Sequence, residues 1–138
     1  MLMKGKVYGF MSNMFACHIE WEGRIYKSSE TVYQMMKCER ECDKERFKLL
    51  NGFEAKRLGR VIRMREDWHE VKVDIMRKIL KAKFNDECLM ERLREVEEPI
   101  VEDNYWNDTY WGVCKGRGKN MLGKLLTEIK EGTNVPNR

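Results

Sequence analysis

The sequence predicts an α+β fold, predominantly helical: a single compact domain with a small N-terminal antiparallel β element and a long central helix. Three observations carry this expectation. Strand-like content is confined to residues 5–28, helical periodicity takes over from Ser28, and the apolar stripe Trp68, Val71, Ile75, Ile79 continues at helical spacing for a long stretch. At 138 residues and 42% hydrophobic composition, the chain is long enough to bury one core and too short to need two.

The elements follow in order. "KVYGF" and "FACHIEW" read as strands, and a turn at Glu22-Gly23 joins the second to "RIYKS" as a hairpin. Ser28 or Ser29 caps a helix through "ETVYQMMKCER", because a serine hydroxyl can accept from the unpaired amides of a first turn. Two shorter helices are expected at Asp43 to Leu50 and Phe53 to Leu58, broken by the Asn51-Gly52 pair. Glu66 to Phe84 reads as the core helix, with Met76, Leu80 and Phe84 as the ridge beside the main stripe. A short helix spans Asp86 to Arg94 and Pro99 closes that region. The last helix runs from about Asn120 to Lys130, and "GTNVPNR" reads as a frayed tail.

Composition excludes several classes. No apolar run approaches the roughly 20 residues that span a bilayer, and residues 1–15 lack the apolar block and cleavage site of a signal peptide. The expectation is a soluble, cytoplasmic protein. Five cysteines, Cys17, Cys38, Cys42, Cys88 and Cys114, are odd in number and scattered, which fits a reducing compartment better than a disulfide framework. The paired spacings of a structural zinc site are missing, so Cys38 and Cys42 read more simply as helix positions. With 27 Lys and Arg against 23 Asp and Glu, the formal charge of +4 is compatible with an anionic ligand without demanding one.

Three stretches hold residue types suited to chemistry. On a helix starting at Ser29, Glu30, Gln34 and Lys37 fall at i, i+4 and i+7 and share a face, either as a solvated stripe or as a site. Glu30 lies in the first turn, where the helix dipole favours its ionised form. In "GRVIRMREDWHEVK", Arg60, Arg63 and Arg65 gather before a helix start, an arrangement suited to phosphate unless neighbouring acids pair them. Trp68 is ambiguous between a core anchor and a stacking surface. In "NDTYWGVCKGRGKNMLGKLL", Asp108 precedes Trp111-Gly112, and Lys115, Arg117 and Lys119 alternate with glycines whose amides can approach an anion; it is neither a Walker loop nor a dinucleotide fingerprint. These residues alone leave open whether the loop cradles phosphate or is a basic surface turn.

Taken in order, "GFMSNMF", "EGRIYKSSETVYQMMK", "GRVIRMREDWHEVKVDIMRKILKAKF", "IVED" and "DTYWGVCKGRGKNMLGKLL" resemble the NADAR, or YbiA-like, family of N-glycosidases over residues 9 to about 130. The family's first element falls on Phe10, Ser12 and Asn13, and its "SE" helix start on Ser29 and Glu30, with the later basic residue at Lys37. A further element falls on Gly59, Arg60, Arg63, Asp67, Trp68, Lys72 and Met76, and the last on Asp108, Trp111, Gly112, Gly118, Asn120, Leu122 and Gly123. Cys114 stands where the family pattern has a glycine, and the loop after it is short.

The resemblance implies hydrolysis of a bond between ribose C1′ and a nitrogenous base. The implied substrates are ADP-ribosyl-guanine, including ADP-ribosylated nucleic acid, or a phosphoribosylamino-pyrimidine intermediate of riboflavin synthesis. It implies Glu30, Asp108 and Trp68 as catalytic residues. Asn13, Lys37, Arg60, Trp111, Lys115, Arg117, Lys119 and Asn120 are implied for substrate binding, with no metal, redox cofactor or membrane required. An alternative is a catalytically silent module that binds ADP-ribose or a nucleotide, kept open by the departure at Cys114.

Overall fold

The computed structural model describes residues 9–132. Most of "KVYGF" and nearly all of the terminal tail lie outside them. Within the described residues the elements are a 3-10 turn at Gly9–Met11, then β1 (Ile19–Trp21), β2 (Arg24–Tyr26), α1 (Ser29–Met36), α2 (Glu41–Glu45), α3 (Gly52–Gly59), α4 (Trp68–Lys83), α5 (Glu87–Arg94), β3 (Asp103–Asn104), β4 (Val113–Cys114) and α6 (Met121–Glu131). Gly9 and Phe10 therefore sit in a helical turn instead of the strand expected there. Six helices and two very small sheets make the α+β, predominantly helical class. The chain divides into two units, Asn13–Lys83 and the residues up to Ser12 together with those from Phe84 onward.

In the unit Asn13–Lys83, β1 and β2 form the antiparallel hairpin with Ile19 opposite Tyr26 and Trp21 opposite Arg24. Glu22 (φ 49°) and Gly23 (φ 82°) are both left-handed, the two-residue turn whose twist matches that of the strands. Ser28 caps α1 by accepting from the Thr31 amide at 3.1 Å, and the Thr31 hydroxyl goes on to donate to the Leu50 carbonyl at 3.0 Å. Asn51 and Glu54 make a reciprocal capping box that starts α3 at Gly52, so the Asn-Gly pair expected as a break is the helix start itself. Ile19, Val32, Phe47, Ala55, Trp68, Ile75 and Ile79 build the core, with Val71 partly buried against it, so the stripe of α4 faces inward as its spacing predicts.

The middle of this unit departs from expectation. α2 ends at Glu45, where the backbone bonds tighten to i→i−3 at Phe47 and Leu50; the Asp43 carboxylate within it pairs with Arg40 at 3.0 Å and Arg46 at 3.5 Å. That tightening carries Phe47 into full burial. Cys38 lies beyond the end of α1, paired as an antiparallel bridge with Met64, so of these two cysteines Cys42 alone occupies a helix.

In the second unit, α5 is capped by Asp86 and buries Leu89 and Leu93 one turn apart, while α6 buries Met121, Leu122, Leu125 and Leu126. The two helices pack together, and the Lys130 ammonium donates to the Val96 carbonyl. β3 and β4 run parallel for two residues each, Asp103 beside Val113 and Asn104 beside Cys114. No helix among the described residues is long and apolar enough to cross a membrane.

Lys83, the last residue of α4, is fully buried, and its ammonium sits 5.6 Å above the Phe15 ring. Burial disfavours the charged amine and pushes its pKa down to about 8, with a smaller opposing effect from Cys17. Between about 8 and the ordinary lysine value the unfolded chain binds more protons than the folded one, so stability contributed at this position rises with pH through that window. Relative to Lys83→Met, the denaturant midpoint of the native protein should climb between pH 7 and pH 10. Parallel midpoints across that range would show that Lys83 does not titrate in the fold.

Candidate active site

The candidate residues fall into two clusters, one in each unit. In the first, Asn13 receives the start of α1: its carbonyl accepts from the Glu30 amide at 2.9 Å and its side-chain oxygen from the Ser29 hydroxyl at 3.1 Å. Asn13 is thereby committed to holding the helix that carries Glu30. From there a chain of side-chain hydrogen bonds runs along α1. The Gln34 amide donates to the Glu30 carboxylate at 2.7 Å, and the Lys37 ammonium donates to the Gln34 carbonyl oxygen at 3.2 Å. The face predicted from i, i+4, i+7 spacing is thus one connected acid–amide–base array.

Its electrostatics follow from position. Glu30 lies in the first turn of α1, where the helix dipole favours an anion, and its carboxylate accepts a hydrogen bond from the Gln34 amide. Lys37 is half-buried. Burial lowers its pKa, the Glu30 carboxylate opposes that shift, and Arg60 adds to it. Arg60, at the end of α3, is exposed, and among the described residues no carboxylate pairs with it. The other arginines of that stretch are engaged: Arg63 pairs with Glu39 at 2.6 Å and Arg65 clasps both oxygens of Asp67 at 2.6 and 3.0 Å. Of the three guanidiniums expected at the helix start, Arg60 alone is left for an anion.

Trp68 is 3% exposed, with its ring tilted against that of Tyr33 at 5.0 Å, so in this fold the indole packs into the core. Its place at the first turn of α4 suggested a site edge, but the segment before it runs alongside Glu39 and Lys37, through bonds from Glu39 to Arg63 and from Arg65 to Lys37, and this folds the indole inward.

In the second cluster, Asp108 organises its own turn. One carboxylate oxygen accepts from the Tyr110 and Trp111 amides at 3.1 and 2.9 Å, and the Asn104 side chain brackets the Asp108 backbone on both sides at 2.9 and 3.1 Å. Asn104 was missed in the sequence, where only its i, i+4 spacing to Asp108 could have signalled it. Trp111 stands edge-on to Tyr110 at 5.1 Å, and the Lys119 ammonium lies 5.6 Å above the Tyr110 ring. Lys115 and Gly116, both left-handed at φ 53° and 76°, form a two-residue turn closed by reciprocal bonds between Cys114 and Arg117. Gly116 therefore serves a tight hairpin, while Gly118 lets the chain lie against the Gly112 and Thr109 backbone, with the charges of Lys115, Arg117 and Lys119 exposed around them.

The Asn120 side chain donates to the Ile100 carbonyl at 2.8 Å and accepts from the Glu102 amide at 3.0 Å, a clamp on the backbone leading into β3. Cys114 is buried, its thiol 3.9 Å from the Asn107 side-chain oxygen. No group of three or more His, Cys, Asp or Glu side chains suited to a metal occurs among the described residues.

Comparison with known proteins follows the same lines. The NADAR domain family matches residues 2–133. N-glycosidase YbiA of Escherichia coli is 35% identical over 90% of this chain and 81% of its own length. A riboflavin biosynthesis protein of Vibrio vulnificus is 30% identical over 90% of this chain and 35% of its own. An NMR structure of the E. coli protein YbiA matches with a TM-score of 0.86 at 34% identity, covering 96% of this chain and 83% of that one.

The burial of Trp68 generates a direct expectation. Trp68→Ala should destabilise the fold by about 3–5 kcal/mol, the range for large-to-small changes at fully packed aromatic positions. Chemical denaturation measures it, and a loss below about 1 kcal/mol would return the indole to a peripheral, ligand-facing role.

Proposed function

The chain belongs to the NADAR family of N-glycosidases, and on that premise we propose that it hydrolyses the bond between ribose C1′ and a nitrogenous base or amine in a phosphorylated, nucleotide-like substrate. The observation that carries this reading is the Glu30–Gln34–Lys37 array with the unpaired Arg60 beside it. Breaking a bond from nitrogen to an anomeric carbon builds positive charge on the ribose ring, as in glycoside hydrolysis. A carboxylate held ionised by a helix N-terminus and an amide donor meets that charge without reorganising. Lys37 and Arg60 supply cations for the phosphate that such a substrate carries.

Two substrates share these features, an ADP-ribosyl-guanine and a phosphoribosylamino-pyrimidine intermediate of riboflavin synthesis. The Vibrio relative, named for riboflavin biosynthesis and aligned over 90% of this chain, favours the second. The phosphorylated substrate class and five free cysteines fit a reducing, cytoplasmic setting. Incubation with each substrate, following release of ribose phosphate or ADP-ribose, tests the proposal. Binding of either without turnover would establish the silent-module reading instead.

Two substitutions sharpen the test. Glu30→Gln keeps volume and deletes charge, so the protein should fold and bind while kcat falls about 10²-fold or more; full turnover would remove Glu30 from the chemistry and move the role to Asp108. We read the exposed cations of the Lys115–Lys119 turn as a phosphate contact. Arg117→Ala combined with Lys119→Ala should then raise KM and flatten its salt dependence, and an unchanged KM would make the turn a surface feature only.

A further inference from the structure

We propose that Gln34 is a positioning residue for the hydrolysis, a neutral bridge that holds the Glu30 carboxylate and the Lys37 ammonium in one fixed array; this rests on the reading of Glu30 as the carboxylate that meets the ribose. Gln34 is 7% exposed, yet both ends of its amide are used, the nitrogen on Glu30 at 2.7 Å and the oxygen by Lys37 at 3.2 Å. The partners demand opposite ends. Flipping the amide would set its carbonyl against a carboxylate and its NH₂ against an ammonium, so the orientation has one solution.

The backbone opposite confirms that this placement is built. A Cβ added at Gly59, the last residue of α3, would lie 1.9 Å from the Gln34 side-chain oxygen and 2.7 Å from its amide carbon. The bare glycine is what lets the side chain lie against α3. A residue needed only for packing there would be apolar, because a buried amide costs desolvation unless both its ends are satisfied.

The chemical gain lies in what the bridge connects. Glu30 and Lys37 are seven residues apart, about 10 Å along a helix, too far for direct contact along the axis. The amide spans that distance and passes polarisation from the ammonium to the carboxylate. The charged and titratable groups around the array are Glu30, Lys37 and Cys38 on or just past α1 and Arg60 at the end of α3.

Two variants test the bridge, with the Lys37 titration, followed by the pH dependence of its acylation rate, as a readout independent of activity. Gln34→Met keeps the volume and loses both bonds. It should lower kcat about 10- to 100-fold, as for other orienting partners, and move the Lys37 titration further down. Gln34→Glu keeps an acceptor for Lys37 but sets a second carboxylate beside Glu30. It should raise both pKa values, moving the acid limb of the pH–rate profile to higher pH. Should Gln34→Met fail to fold, the Gln34→Glu profile decides alone. Turnover in the native protein, with kcat, acid limb and Lys37 titration all unmoved in the variants, overturns the positioning role and leaves the function standing. A folded native protein that turns over neither substrate overturns the function, and the positioning role with it.

Discussion

The close approach of α3 to α1 is the constraint on which the first cluster depends. α3 meets α1 through residues with almost no side chain: Gly52 lies against the Ser28 cap, where a Cβ would come within 3.2 Å of its hydroxyl, and Gly59 against Gln34. Ala55, between them, is completely buried. Side chains of ordinary size along that stripe would force the helices apart, and Gln34 would lose the surface that fixes it. The Thr31–Leu50 bond and the Asn51 capping box hold the start of α3 at this separation. A polar array is thus secured mostly by the absence of atoms.

The same economy governs the ends of α1. At its start, Asn13 and Ser28 occupy the orphan amides with a backbone carbonyl and a hydroxyl, so the helix dipole is expressed at Glu30 without a competing charge from the cap. Past its end, the backbone of Lys37 and Glu39 is tied to Arg65 and Arg63, which fixes the chain that carries the Lys37 side chain. Acid and base are fixed by different devices, a cap at one end and a strand-like bridge at the other.

Much of this was legible in the sequence, and what was not has physical reasons. The 3.6-residue period of "ETVYQMMK" placed Glu30, Gln34 and Lys37 on one face, and the stripe of α4 predicted its own burial, because periodicity reports a helix facing a core. The turn at Glu22-Gly23 was equally plain. Composition could not say whether the glycines of "KGRGK" serve an anion or a hairpin, since both need left-handed or uncrowded backbone. Nor could it place Trp68, whose direction is set by the distant pairing of Cys38 with Met64. Asn120 carried a family motif, but a motif does not tell a residue that touches substrate from one that clamps the chain. β3 and β4, at two residues each, are too short for any pattern.

The capping box at α3 has a consequence for chemical ageing. Asn51 is followed by Gly52, the dipeptide most prone to lose ammonia when the glycine nitrogen attacks the asparagine carboxamide. In the fold the carboxamide oxygen is held by the Glu54 amide at 2.9 Å, and Asn51 is extended at ψ 176°, so the attacking geometry is closed off. Unfolding α3 would release that restraint. Slow deamidation at this one position therefore acts as a clock that runs only while α3 is open, and the isoaspartate it leaves behind, with an extra backbone carbon, cannot rebuild the cap.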